Sequence, residues 1–124
     1  MNKEPIFLCV DFDGTIADTK DCFPKIRKEI KNSINTLLTL KQLGCILILN
    51  TCREGENLND AIKWMKQKGL VFDYVNNNAE YLINKWGNDC RKIAGTFYID
   101  DRNIGGIPSW NEIYNIVKKE IDKQ

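Results

Sequence analysis

Apolar and polar positions alternate along this chain in blocks, and the blocks predict a repeating order of strand and helix. Ile6 to Val10 is a short continuous apolar run, the pattern of a buried strand. Ile34, Leu37 and Leu38, with Gln42 in register, recur at helical spacing and predict a helix over about 32–43 that Gly44 stops. Cys45 to Asn50, "CILILN", predicts a second buried strand. From Glu56 to Lys68 the residues Leu58, Ala61, Ile62 and Met65 fall on one helical face, and Gly69 ends it. "VFDYV" (71–75) predicts a short strand, "NNAEYLINKWG" a short helix and "GTFYID" (95–100) another strand. Trp110 to Ile121 predicts a last helix with Ile113, Ile116, Val117 and Ile121 inward; Trp64, Trp86, Tyr81 and Tyr98 are read as core aromatics.

Strands alternating with helices imply β-α-β units: an α/β fold with a Rossmann-like parallel sheet and helices on both faces. No repeat or linker interrupts it, so residues 1–124 read as one domain. Ligands in such sheets bind outside the carboxyl ends of the strands. Three predicted strands end there in reactive groups: Asp11 and Asp13, then Thr51, then Asp100 and Asp101.

Composition narrows the chemistry. The chain is 43% apolar and 28% charged, ordinary for a globular protein. Lys plus Arg number 18 against 17 Asp plus Glu, a balance that gives no reason to expect nucleic acid or an anionic membrane as partner. Residues 1–5 lead straight into the first strand without a signal peptide, and no apolar run has membrane-spanning length, so a cytoplasmic location is expected. The chain has no His, which removes Ser-His-Asp and Cys-His catalysis and the usual zinc ligand set. None of the five cysteines has an Arg six residues on, against a nucleophilic-cysteine phosphatase; Cys9 and Cys45 read as buried hydrophobes. Acid-base work must fall to carboxylates, Lys, Tyr or Cys.

The most informative stretch is "FLCVDFDGTIADT", where a buried strand runs into two carboxylates one residue apart. Burying ionised carboxylates is costly unless they are paired or bind a metal. Alternation lets Asp11 and Asp13 share an orientation with Phe12 turned into the core; Gly14 frees the backbone to turn, and Thr15 can cap the next segment. Two uses fit: holding a divalent cation through oxygen, or dividing nucleophile and acid-base roles between two carboxylates.

"DFDGTIAD" resembles the first motif of the haloacid dehalogenase (HAD) superfamily, "CILILNT" its second and "YIDDRN" its fourth. Lys92, in "CRKIAGTFYIDD", matches the single Lys of the third, with Lys85 as competitor. The order and spacing resemble small, capless HAD-type hydrolases over nearly the whole chain. This resemblance implies that Asp11 is the nucleophile and becomes an aspartyl-phosphate, and that Asp13 protonates the leaving oxygen and then activates water. It implies a Mg²⁺ bridging Asp11, the Asp13 backbone carbonyl and the fourth-motif acid, Asp101 directly with Asp100 behind it. Thr51 and Lys92 would hold the phosphoryl oxygens. Arg53 in "NTCREGE" has two readings, a contact to the substrate anion or a surface ion pair with Glu54 or Glu56. Asp18 is read as structural.

The expected activity is Mg²⁺-dependent hydrolysis of a phosphate monoester. The alternatives are a phospho-receiver-like or a non-catalytic phosphate-binding module. A receiver is disfavoured because the third strand ends in Asn76-Asn77-Asn78 rather than an acceptor Asp. A dehalogenase or phosphomutase generally needs a cap, and none fits between Thr51 and Lys92. The segment from Thr19 to Lys31 is at most a short flap, so the site is expected to lie open. The substrate is expected to be a small phosphorylated molecule, and a second subunit roofing the site is left open.

Overall fold

The computed structural model describes residues 4–124. Ten elements succeed one another in chain order: β1 (Phe7–Val10), β2 (Ala17–Asp18), β3 (Lys28–Glu29), α1 (Ser33–Gln42), β4 (Ile46–Leu49), α2 (Gly55–Gln67), β5 (Tyr74–Val75), α3 (Glu80–Trp86), β6 (Phe97–Ile99) and α4 (Trp110–Lys123). The protein is α/β, with a parallel four-stranded sheet ordered β5-β4-β1-β6. β2 and β3 form a separate antiparallel pair, β2 just before the segment expected to be a flap and β3 within it.

Strand alternation divides the core in two. Leu8, Val10, Leu47 and Leu49 face one side and pack with Leu37 and Leu40 of α1, Ala61 and Met65 of α2, and Ile113 and Val117 of α4. Phe7, Cys9 and Ile48 face the other side, against Leu82 of α3 with Ala79 and Ala94. The three-layer, Rossmann-like arrangement expected from the sequence is therefore present. Among the described residues no helix is long and apolar enough to cross a membrane.

The strand order sets where a site can form. From β1 the chain steps through α1 to β4 and through α2 to β5, moving one way across the sheet. It then returns through α3, on the opposite face, to place β6 on the far side of β1. The direction reverses between β1 and β6, and a crevice opens at the carboxyl ends of strands where this happens. Asp11 comes directly after β1 and Asp100 directly after β6, so the reversal point is carboxylate-lined.

Several expectations shift in detail. The strand expected over 71–75 reduces to Tyr74–Val75. Ile116, expected inward, is half exposed, because the buried stripe of α4 runs through Ile113 and Val117. Tyr81, Trp86 and Tyr98 are surface residues rather than core; Tyr98 stands on the edge strand β6, and Tyr81 and Trp86 on a seven-residue helix that buries Leu82. Trp110 is the tryptophan that is buried. Cys9 and Cys45 are buried as expected, and desolvation pushes both thiols up to about 11.

Candidate functional site

After β1 the backbone continues the sheet for one residue, with the Asp11 N–H donating to Ile99 O (3.0 Å). It then turns tightly. The N–H groups of Thr15, Ile16 and Ala17 all point to Phe12 O, at 3.2, 2.9 and 3.1 Å. This turn needs Gly14, whose φ is +79°. Space imposes a second requirement: a Cβ at Gly14 would stand 2.3 Å from Asp101 Oδ2. The glycine therefore both permits the turn and leaves room for a carboxylate arriving from β6.

Asp11, Asp100 and Asp101 converge here, each offering an oxygen within 4.8 Å of the others, and all three are partly buried. Thr15, fully buried, ties the cluster together. Its hydroxyl lies 3.2 Å from Asp11 Oδ2 and 3.3 Å from Asp101 Oδ1 and accepts the Asp101 N–H at 3.0 Å. Its carbonyl accepts the indole N–H of Trp110 at 3.0 Å, which anchors the turn to α4. Asp100 Oδ1 accepts the Arg102 N–H at 2.9 Å. Among the described residues no Lys or Arg forms an ion pair with these three acids. Burial, then the charge of Asp100 and the hydrogen bond with Asp101, push the Asp11 carboxyl up to about 7 from an ordinary 3.8.

The donor set fits a hard divalent cation. It is all carboxylate oxygen, the chemistry of Mg²⁺ rather than of a thiolate or imidazole metal. A dication would also supply the positive charge that the cluster lacks. Asp100 and Asp101 both belong to it, so the direct ligand is not singled out by proximity.

Asp13 stands apart. Its carboxylate turns to Arg53, with Nε to Oδ2 at 2.9 Å and Nη2 to Oδ1 at 2.8 Å, and accepts the Thr19 hydroxyl at 2.8 Å. Asp11 and Asp13 thus leave one turn toward different partners, and any part Asp13 has in a metal site falls to its backbone carbonyl. Neither reading of Arg53 from the sequence describes it. The residue is 3% exposed and pairs with Asp13, not with Glu54 or Glu56, because the cavity between Phe12 and Phe23 receives its guanidinium.

Thr51 lies just past β4. Its N–H donates to Asn76 Oδ1 (2.8 Å), and its hydroxyl oxygen accepts the Arg53 N–H (3.1 Å), which leaves the hydroxyl hydrogen free. Lys92 is exposed, its ammonium 5.1 Å from the centre of the Tyr98 ring, and no hydrogen bond or ion pair brings it to the carboxylates. Lys85 pairs with Glu4 at 2.6 Å, ahead of β1 and so at the opposite end of the sheet. Asp18 is structural as read: it accepts the Lys20 N–H and pairs with Arg27 across the hairpin. A cavity of about 360 Å³ lies beyond the turn, between Gly14–Thr15, the end of the flap and the loop before α4, and none of the four carboxylates lines it.

Sequence reading missed three residues: Thr15 as the bridge between two acids, Thr19 as a donor to Asp13, and Trp110 as the anchor of the turn. The first two sit in the stretch already singled out; nothing local marks Trp110, 95 residues away from its partner.

Fold and site together define a Rossmann-like α/β protein with a carboxylate cluster at its topological reversal point. The structure of a conserved protein from Bacteroides thetaiotaomicron is similar to it, with a TM-score of 0.83 and 38% sequence identity over 94% of this chain and 93% of that one. The chain belongs to the same family as that protein. No family model matches the sequence, and no curated protein does.

Proposed function

We propose that this protein is a Mg²⁺-dependent phosphohydrolase of the HAD type, acting on a phosphate monoester through an aspartyl-phosphate at Asp11. The observation that carries the reading is the convergence of Asp11, Asp100 and Asp101 at the β1/β6 reversal point, with no cationic side chain among the described residues paired to them. Three acids and a phosphate dianion repel one another, and charge stabilisation is most of phosphoryl-transfer catalysis. Mg²⁺ held by these acids would supply that charge.

The chain's own residues divide the remaining work. Asp13 enters the step protonated on Oδ2, the oxygen that accepts one bond rather than two; an Asp11 oxygen attacks phosphorus, the bond from phosphorus to the ester oxygen breaks, and that oxygen takes the Asp13 proton. Water then attacks the aspartyl-phosphate, its proton passes to Asp13, and the acyl–phosphate linkage breaks at phosphorus to release inorganic phosphate. Thr51 has a hydroxyl hydrogen to donate to a phosphoryl oxygen. Lys92 would have to leave the Tyr98 ring to do the same. Thr15 keeps Asp11 and Asp101 at a fixed separation through both steps.

The test is hydrolysis of p-nitrophenyl phosphate by metal-stripped protein. Turnover should require added Mg²⁺ and stop with chelator, and Asp11→Asn should abolish it while the fold persists. Equal rates with and without chelator would overturn the metal role. Phosphate binding without turnover on a panel of nucleotides, sugar phosphates and phosphopeptides would favour a binding module instead.

A further inference from the structure

Arg53 is a buried guanidinium with almost every donor committed. Nε and Nη2 grip the two Asp13 oxygens, Nη2 also donates to Pro24 O at 3.0 Å, and Nη1 donates to Asn57 O at 3.0 Å. The Phe12 and Phe23 rings lie 5.0 and 4.9 Å from its central carbon. Phe12 belongs to the turn after β1, Phe23 and Pro24 to the flap, and Asn57 to α2. Four of five N–H groups are therefore used, and the side chain is 1% exposed, so no face is left for a substrate.

A carboxylate at a strand end ordinarily rotates. Asp13 cannot, because Arg53 holds both oxygens and Thr19, at the entry to the flap, holds one of them again. The dependence runs both ways. A buried guanidinium without its carboxylate would be an uncompensated charge, so the contacts that Pro24 and Phe23 of the flap make with Arg53 depend on Asp13 being paired. The planar fork matters too, since a Lys offers a point charge and cannot hold two oxygens side by side.

We infer that Arg53 is the positioning residue for Asp13 and couples its carboxylate to the seating of the flap. The kinetic part of this inference rests on the reading of Asp13 as the proton donor to the leaving group. A donor acts only within hydrogen-bond reach of its acceptor. Loss of its position should therefore hurt substrates whose leaving oxygen needs a proton far more than substrates with a stable leaving anion.

Two measurements test it in the full chain. In the first, Arg53→Lys and Arg53→Met are assayed with Mg²⁺ on β-glycerophosphate, a poor leaving group, and on p-nitrophenyl phosphate, a good one. On the transition-state scale, kcat should fall about 100-fold or more on the alkyl ester and less than about 10-fold on the aryl ester, with KM nearly unchanged. Equal losses on both esters, or a loss residing in KM, would overturn the positioning role. The second measures trypsin cleavage within the flap, at Lys25 and Arg27. Arg53→Met and Asp13→Asn should each speed it about tenfold, and the double variant should add nothing further. Unchanged cleavage in Arg53→Met, or additive effects, would overturn the coupling. Arg53→Lys keeps the buried charge and replaces Arg53→Met if that variant does not fold. If the cleavage cycle holds but Asp13→Asn costs both esters alike, the acid role of Asp13 fails while the coupling to the flap stands.

Discussion

Replacing Asp11 by Asn should stabilise the metal-free protein at pH 8 and do so much less at pH 5. In an unfolded chain Asp11 ionises near 3.8, and in the folded, metal-free chain near 7. Between these values the native state keeps a proton that the unfolded state has released. The native state then binds more protons, and its stability falls as pH rises through this window. Below 3.8 the two states agree and there is no cost; above 7 both are ionised and the full cost is present. At about 1.4 kcal/mol per pH unit the displacement corresponds to about 4 kcal/mol. Asp11 is only half-buried, and water screens it, so about 1–2 kcal/mol of this is expected to survive. For a chain of this size that is about 4–8 °C in melting temperature. The asparagine keeps the shape, can accept the Thr15 hydroxyl and can donate to Asp101, so the comparison isolates charge. Thermal melts of both proteins in chelator at pH 5 and pH 8 give the result. Saturating Mg²⁺ should then raise the melting temperature of the parent and leave Asp11→Asn nearly unmoved. A variant no more stable than the parent at pH 8, or one equally stabilised at both pH values, would refute the account of Asp11 as a carboxylate strained by burial and by its acidic neighbours.

Gly14→Ala should cost about 1–2 kcal/mol through its left-handed backbone alone, and it should also displace Asp101; a melt combined with Mg²⁺ titration should show both losses together. Asp101→Ala should weaken Mg²⁺ binding about tenfold or more, while Lys92→Ala should leave Mg²⁺ binding unchanged and weaken inorganic phosphate, which calorimetric titration of each ligand would separate. Lys85→Ala should leave turnover within about threefold of the parent, because its partner Glu4 lies at the other end of the sheet. Trp110→Phe should lose about 1–2 kcal/mol by stranding the buried Thr15 carbonyl, read as a lower denaturant midpoint.

The chain order of the four strands of the parallel sheet and the four helices, and the chemistry brought to the strand ends, were determined by the sequence alone; the β2–β3 pair was not. Continuous aliphatic runs such as "CILILN" can form only buried strands or buried helix, and the glycines just past the helical stripes limit where those stripes end. Alternation of the two types implies a parallel sheet, and parallel sheets present their carboxyl ends to ligands, so Asp11, Asp13, Thr51, Asp100 and Asp101 were legible as one edge. Strand order was not legible, because local pattern carries no record of which strand lies beside which; β6 beside β1 is what joins Asp101 to Asp11. Tyr98 is on the surface because β6 is an edge strand, and Tyr81 and Trp86 because the short α3 buries Leu82 instead, neither of which hydrophobicity alone encodes. The division of the two motif aspartates was also tertiary. Spacing put Asp11 and Asp13 on one turn, but only the fold supplied Thr15, Asp100 and Asp101 to the first and Arg53, 40 residues further on, to the second. A buried arginine reads in sequence like an exposed one, because its charge says only that it must find a partner; where the chain crosses itself decides which.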